Sequence, residues 1–312
     1  MPYQKTLNAL GVPVRFESNR SWLLAHAKDA YGGLPALDNK SATIHVRLLA
    51  NNDPHQQRLD VPPLATYFGT AAMTSAVFTP SDMLVCALHQ GEGFVTVSPA
   101  MAHMSYIIRY EMIEFAVYRL LAHILQAVGL HGAAITRGGK TRLLFGDSGA
   151  GKSTLVMACL LQGFQLVGED ALFVLPGHEP ELRGVPTYVH LLEETLSFFP
   201  DLRLSKKECA TITRRSGRQK LEVDTRNLFR HTPRVSAPLG TLIFISQRRG
   251  SAAKVRLISN TRARALLDRQ QPFARTSPGW DAAQATMLQY PTYELELGPD
   301  PHQAAELLAG ID

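Results

Sequence analysis

The chain has 312 residues, of which 45% are hydrophobic and 19% are charged. This composition is typical of folded globular protein and argues against intrinsic disorder, and the length suits two domains of moderate size. The 32 basic and 27 acidic residues give a formal charge of +5, which is too small to indicate a nucleic-acid-binding protein by itself.

Cysteine usage and apolar segments indicate the cellular compartment. The three cysteines lie far apart and form no Cys-x-x-Cys pair, so we expect no disulfide framework, no zinc site and a reducing environment. The first residues lead into no signal-peptide apolar region, and no window approaches about 18 uninterrupted apolar residues. These observations predict a cytoplasmic protein without a membrane partner.

The first hundred residues predict a small mixed α/β module. Strands are expected at residues 12–17, 42–48 and 94–97, where apolar and polar residues alternate. A helix capped at Ser18-Asn19 and ended by Gly32-Gly33 is expected between the first two strands. Because no motif in this part indicates chemistry, we assign residues 1–105 to an N-terminal module and residues 106–312 to the main domain.

The main domain is predicted to begin with one long amphipathic helix. Apolar residues recur at helical spacing over residues 107–128, and Gly129 is placed to end the helix. Strands at 131–136 and 141–145 follow, joined by a tight turn at 137–140. Later strands are expected at 239–245, 255–258 and 293–297, and later helices at 261–269 and 301–309.

A phosphate-binding loop follows the strand at 141–145. The pattern Gly-x-x-x-x-Gly-Lys-Ser stands between this strand and a helical stretch, where glycines let backbone N–H groups surround phosphate oxygens. Lys152 would reach the outer phosphates of ATP, and the Ser153 hydroxyl would coordinate Mg²⁺. The residues predicted to bind the nucleotide are Gly146, Asp147, Ser148, Gly149, Ala150, Gly151, Lys152, Ser153 and Thr154.

Two carboxylates follow one helix after the loop. The apolar strand at 164–167 leads directly into Gly168, Glu169 and Asp170. A carboxylate at such a strand end can hold Mg²⁺ or accept the proton of an attacking hydroxyl. The loop and the acidic pair together predict a site for phosphoryl transfer.

These motifs resemble the C-terminal domain of the HPr kinase/phosphorylase family. The resemblance rests on the loop at 146–153 with the segment 162–170, on His131-Gly132 upstream and on Glu181-Leu182-Arg183-Gly184 downstream. It implies an α/β P-loop kinase domain of the type related to phosphoenolpyruvate carboxykinase, with mixed sheets around the loop. It also implies MgATP-dependent phosphorylation of a hydroxyl, which in the prototype is a serine of a carrier protein.

The resemblance also implies roles for individual residues. Glu169 falls where the family has an Asp that is the general base. Asp170 and Glu181 fall at carboxylates associated with the metal, which Ser153 is also expected to bind. His131 falls near the transferred phosphoryl group. Glu169 is one methylene longer than Asp, so three alternatives stay open: a pocket built for Glu169, a base role for Asp170, and loss of catalysis.

A basic segment lies downstream of the acidic pair. Residues 203–234 contain ten Lys or Arg and three acidic residues, and phosphoryl transfer needs cations to offset charge in the transition state. Within it, residues 214–218 are predicted to form a lid over the nucleotide, although solvated surface and a grip on an acidic acceptor peptide are alternatives. His178 and His190 are weaker candidates, because a single histidine is more often structural.

The sequence therefore predicts a kinase that transfers the γ-phosphoryl group of ATP, with Mg²⁺, to a hydroxyl of a protein or peptide, most simply a serine. A small-molecule kinase of the same fold and a non-catalytic nucleotide-binding module are the alternatives. A homo-oligomer stays open. Nucleic acid is not expected as a partner, because the basic segment lacks interleaved aromatic residues.

Overall fold

The computed structural model describes residues 1–37, 44–51, 58–205, 207–229, 232–247 and 252–311. Contacts within the chain define two compact units, residues 1–126 with 212–219 and residues 127–211 with 220–312. The predicted boundary near residue 105 concerns separately folding domains and stays a prediction. The segment 107–124, which that boundary assigns to the main domain, makes its contacts in the first unit.

One mixed sheet and its covering helices account for the described helices and strands of residues 1–126 in the first unit. The sheet has the strand order β1-β2-β3-β7-β6-β5-β4, and β3 is parallel to both β2 and β7. The elements are β1 (Tyr3–Ala9), β2 (Val12–Ser18), α1 (Ser21–Tyr31), β3 (Ile44–Ala50), β4 (Thr66–Gly69), β5 (Met73–Thr79), β6 (Asp82–Ala87), β7 (Glu92–Val97), a π-helical segment (Ile107–Glu114) and α2 (Phe115–Ile124).

Alternating burial explains the strands of this sheet. Every second residue of β2 is buried, with Val14 and Phe16 fully so, and α1 and α2 pack on the sheet. The predicted strands at 12–17 and 94–97 and the helix ended by Gly32 are confirmed. The strand at 42–48 is confirmed from Ile44 onward, and its first two residues lie outside the described residues. The sequence analysis missed β1, β4, β5 and β6.

The helix predicted over residues 107–128 is confirmed as far as Ile124, and its predicted end is wrong. The π-helical segment continues into α2, which ends at Ile124, and Gln126 has a φ of 50° that stops helical geometry. Residues Val128–Leu130 instead form β8, with Gly129 opposite Phe173 in the next strand of its sheet. Val128 and Leu130 are buried as alternate residues of a strand. A short apolar run of this kind satisfies the helical period of 3.6 residues as well as the strand period of two.

The second unit contains three further sheets. Their strand orders are β11-β9-β10-β18-β20-β19, β17-β13-β12-β8 and β14-β16-β15. After β8 the elements are β9 (Ala133–Arg137), β10 (Lys140–Phe145), α3 (Lys152–Leu161), β11 (Gln165–Glu169), β12 (Leu172–Leu175), β13 (Glu181–Gly184), β14 (Tyr188–Leu191), a 3₁₀ helix (Glu193–Phe198), β15 (Cys209–Thr213), β16 (Gln219–Asp224), α4 (Thr225–Phe229), β17 (Ser236–Pro238), β18 (Thr241–Gln247), β19 (Lys254–Leu257), α5 (Asn260–Gln270), a 3₁₀ helix (Ala274–Thr276), α6 (Trp280–Met287), β20 (Thr292–Leu297) and α7 (Pro301–Ala309).

The six-stranded sheet is the centre of this unit, and its middle strands β10, β18 and β20 are parallel. Leu144 of β10 packs in one core with α3 and α7, whereas Leu143 and Phe145 pack in a second core with α5 and α6. Burial on both faces explains why these strands are continuous apolar runs. The predicted elements at 141–145, 239–245, 255–258, 261–269, 293–297 and 301–309 are confirmed.

The described part of the chain is therefore mixed α/β with several sheets, which agrees with the α/β fold class predicted from the sequence. None of its described helices is both long enough and apolar enough to span a bilayer.

Candidate functional site

The predicted phosphate-binding loop lies at the carboxyl end of β10, a middle strand of the six-stranded sheet. β10 ends at Phe145 and α3 begins at Lys152, so the glycine-rich segment connects a strand to a helix as predicted. Ligand sites of α/β sheets are formed at this edge, beyond the carboxyl ends of parallel strands.

Backbone geometry explains the glycines of the loop. Gly149 and Gly151 have φ angles of 80° and 93°, which side chains other than hydrogen rarely allow. A Cβ on Gly151 would lie 2.7 Å from Leu297 Cδ1, and a Cβ on Gly146 would lie 3.0 Å from the Ile245 carbonyl oxygen. Substitution at either position would therefore move the loop against its neighbouring strands.

The start of α3 is open to an anion. Gly151 occupies the N-cap position, and no side chain caps the helix. The N–H groups of a first helical turn have no partner within the helix, and the helix dipole makes this end positive. Ser153 and Thr154 are partly exposed in the same turn. This arrangement suits phosphate oxygens.

Lys152 is folded back onto the loop. Its side chain is largely buried, and its Nζ donates to the Gly146 carbonyl at 2.6 Å and to the Asp147 carbonyl at 3.4 Å. Burial lowers the pKa of Lys152, while the negative charges of Asp170, Glu169 and Asp147 act in the opposite direction. The ammonium is thus a poorly hydrated cation within the electrostatic reach of the acidic pair.

The acidic pair shares this edge of the sheet. Glu169 at the end of β11 pairs with Ala133 at the start of β9, and Ala133 also pairs with Leu144 near the end of β10. Asp170 follows with a φ of 65°, a left-handed conformation that Asp tolerates better than most residues. Strained backbone of this kind concentrates at functional sites.

The Glu169 carboxylate is 2% exposed and is held on one side only. Its Oε2 accepts a 2.8 Å hydrogen bond from the His190 backbone N–H, and the His190 ring extends to Glu222, with Nε2 at 3.4 Å from Oε1. The other oxygen, Oε1, is buried without a hydrogen-bond partner among the described residues. A buried acceptor left in this way calls for a partner such as a hydroxyl, a cation or water.

His131 lies beside the acidic pair, with its Nδ1 3.2 Å from the Asp170 carbonyl oxygen, and its predicted place near the transferred phosphoryl group stays a prediction. The buried side chain of Gln271 fixes the His131 backbone, accepting from its N–H and donating to its carbonyl, both at 2.8 Å. The sequence analysis missed Gln271, because it follows α5 about 140 residues downstream and belongs to no motif.

The structure does not bring Glu181 to this edge. Its Oε2 accepts from Arg183 Nε at 3.0 Å. Gly184, three residues later, is the part of β13 that packs behind the acidic pair, since a Cβ there would lie 2.3 Å from the Val167 carbonyl oxygen. Three strand residues span about 10 Å, so Glu181 lies at the far end of β13 from the acidic pair. The close contact between Gly184 and Val167 explains why the motif at 181–184 ends in glycine.

The residues at this edge fit Mg²⁺ only together with a nucleotide. No group of three His, Cys, Asp or Glu side chains suited to a metal occurs within the described ranges. Mg²⁺ commonly takes one or two carboxylates and completes its shell with phosphate oxygens and water. The Ser153 hydroxyl, the Asp170 carboxylate and the orphaned Glu169 Oε1 are oxygen donors of the required kind.

Several arginines of the basic segment have structural partners. Arg215 Nε lies 3.1 Å from both carboxylate oxygens of Glu111 in the first unit, and Arg226 Nη2 lies 2.6 Å from Asp224 Oδ2. The lid predicted at 214–218 stays a prediction, and Lys206 and Arg230 lie outside the described residues. His178 is exposed.

Comparisons with known proteins give little beyond this geometry. No protein-family model matches the sequence, and no curated protein matches it. Among solved structures, the Hpr(Ser) kinase/phosphatase from Coxiella burnetii aligns over 58% of this chain and 93% of its own, at 12% identity and a TM-score of 0.30.

Proposed function

We propose that the second unit binds MgATP at residues 146–154 and transfers the γ-phosphoryl group to a hydroxyl, most simply a serine of a protein or peptide. The observation that carries this proposal is the convergence of three features at one sheet edge: a glycine loop, an uncapped helix start and a carboxylate pair. The charges of the pair act on the loop lysine, so both parts can contact one ligand.

Nucleotide binding would exchange one set of contacts for another. Lys152 would leave the Gly146 carbonyl and pair with the outer phosphates, whose negative charge would compensate the ammonium for the hydration that it loses on burial. The N–H groups of the loop and of the first turn of α3 would hold the remaining oxygens. Ser153 and Asp170 would hold Mg²⁺, which would neutralise charge on the outer phosphates.

The two carboxylates suit different roles. Among the carboxylates, Asp170 raises the pKa of Lys152 the most, and a carboxylate that acts on the phosphate-binding lysine suits the metal that accompanies the phosphates. Glu169 Oε1 has no hydrogen-bond partner among the described residues, and the His190 N–H holds Oε2. A carboxylate oriented in this way suits accepting the proton of the attacking hydroxyl. Glu169 is therefore our candidate for the general base.

Calorimetry of MgATP binding tests the proposal. Lys152→Ala removes a charged contact to phosphate, so we expect MgATP affinity to fall at least about tenfold. Lys5→Ala, at an exposed position outside the basic segment, is the matched control and should leave the affinity unchanged. ³¹P NMR of wild type with MgATP and serine-containing peptides should show phosphoserine. Equal MgATP affinity in wild type and Lys152→Ala would overturn the binding site.

A further inference from the structure

A second concave site lies at the opposite edge of the six-stranded sheet. The cavity has a volume of about 430 Å³ and lies among the β9–β10 turn, the end of α3 and the start of β11. Arg137, Phe164, Phe229 and Arg234 line it. This volume falls within the range of pockets that hold small molecules.

The cavity and the phosphate-binding loop lie at opposite ends of the same elements. β9 runs from Ala133 beside the acidic pair to Arg137 at the cavity, and β11 runs from Gln165 at the cavity to Glu169. The ten residues of α3 separate the two sites by about 15 Å. A molecule in the cavity would therefore not overlap a nucleotide on the loop.

The cavity has a positive lining without a neutralising group. Arg137 lies over the Phe164 ring with 5.5 Å between the guanidinium carbon and the ring centroid, and Arg234 Nε donates to the Gln165 amide oxygen at 3.1 Å. Neither arginine has an ion pair with a described residue, and the residues that line the cavity include no Asp or Glu. Two such guanidinium groups in one concavity attract an anion and can bind it through paired N–H groups.

Apart from the polar Thr136 and Gln165, the rest of the described wall is apolar side chains and glycine backbone. Phe164 and Leu160 are buried beneath the surface, and Phe229 is half-buried at the side. Gly139 and Gly163 have φ angles of 77° and 85°, and a Cβ on either would meet nothing within 4 Å. The glycine part of the wall is thus open for close approach of a ligand body.

We propose that this cavity binds a small organic anion. Its phosphate or carboxylate group pairs with Arg137 and Arg234, and its apolar or aromatic body rests against Phe229 and Leu160. The proposal is independent of the function proposed for the phosphate-binding loop, because the two sites share no lining residue.

Binding of phenyl phosphate to the full chain, measured by calorimetry, tests the site. We expect wild type to bind it and the double variant Arg137→Gln/Arg234→Gln to bind at least about tenfold more weakly, since both charged contacts are lost. Benzyl alcohol, a neutral molecule of similar body, should bind far more weakly than phenyl phosphate. Lys5→Gln/Arg58→Gln, two exposed cations of the first unit, is the charge-matched control and should bind as wild type does.

A Lys152→Ala variant separates this cavity from the loop. We expect it to keep the wild-type affinity for phenyl phosphate. Loss of binding in Lys152→Ala with retention in the arginine double variant would place the anion on the loop and overturn the proposal. Absence of wild-type binding at millimolar phenyl phosphate, or equal affinity in wild type and the arginine double variant, would overturn it as well. Arg137 and Arg234 are exposed, so their replacement should leave the melting temperature unchanged.

Discussion

The two edges of the six-stranded sheet carry positive charge in different ways. At the loop edge, Lys152 is buried, bonded to Gly146 and surrounded by the charges of three carboxylates. At the cavity edge, Arg137 and Arg234 are exposed and have no ion pair among the described residues. One edge therefore holds its cation in internal contacts, whereas the other offers its cations directly to solvent.

This difference has a consequence for binding at each edge. A ligand at the loop must replace the internal contacts of Lys152, so its affinity depends on how the surrounding carboxylates and carbonyls are placed. A ligand at the cavity need not break an ion pair with a described residue, so the part of its affinity that comes from the two guanidinium groups should fall strongly as the salt concentration rises. Substitutions behind the loop should thus act on the loop edge alone.

The largest expected effect follows from changing the two carboxylates one at a time. If Glu169 is the base, Glu169→Gln should keep MgATP affinity and lose about 10²–10⁴-fold in phosphoryl transfer. Asp170→Asn should instead raise the Mg²⁺ concentration needed for transfer, because a metal ligand is lost. The measurements are calorimetry of MgATP binding and transfer rates across a Mg²⁺ titration.

Asp201→Asn, which changes an exposed carboxylate of the same unit, serves as the control and should behave as wild type in both measurements. The reverse pattern, with Asp170→Asn losing transfer at unchanged Mg²⁺ demand, would assign the base role to Asp170. If wild type binds MgATP but neither carboxylate change affects any transfer, the non-catalytic alternative would be favoured.

A smaller effect is expected from the support behind His131. Gln271→Ala removes two 2.8 Å hydrogen bonds and leaves the His131 backbone N–H and carbonyl unpaired. We expect the free energy of unfolding to fall by about 1–3 kcal/mol, measured by urea denaturation, and MgATP affinity to fall modestly. Phenyl phosphate affinity should not change. Equal losses at both edges would show that Gln271 supports the whole sheet and not the loop edge alone.

The parts of this site that the sequence predicts are those encoded locally. Residues 146–154 specify their own strand–loop–helix geometry through glycines at positive φ and an adjacent apolar strand, so the loop was predictable. His190 and Gln271 reach the site from β14 and from the end of α5. No local pattern encodes such contacts, because they depend on which strands become neighbours in the sheet.

Ambiguous periodicity explains the main error in the fold. Residues 107–128 satisfy a helical apolar spacing throughout, yet Val128 and Leu130 are buried as alternate strand residues opposite β12. Glu181 shows that the sequence pattern is equally ambiguous at the site. The motif at 181–184 was recognised, but the residue of this motif that packs against the strand leading to the acidic pair is Gly184 and not Glu181. Spacing identifies candidates, and only the pairing of strands shows which end of each strand faces the ligand.

The smallest expected effect concerns α3, the helix that links the two edges. Burial raises the pKa of Cys159 in α3 and of Cys86 in the first unit to about 12, and it raises the pKa of the partly exposed Cys209 as well. At pH 8 a thiol of pKa about 12 is thiolate only to about one part in 10⁴, and the thiolate is the reactive form.

A thiol-specific disulfide reagent should therefore modify Cys209 alone in the native protein and all three cysteines in urea. Neither MgATP nor phenyl phosphate should expose Cys159, because each contacts only one end of a packed helix. Native modification of Cys159 at the rate of Cys209 would show that α3 opens, and the two edges could then not be treated as separate sites.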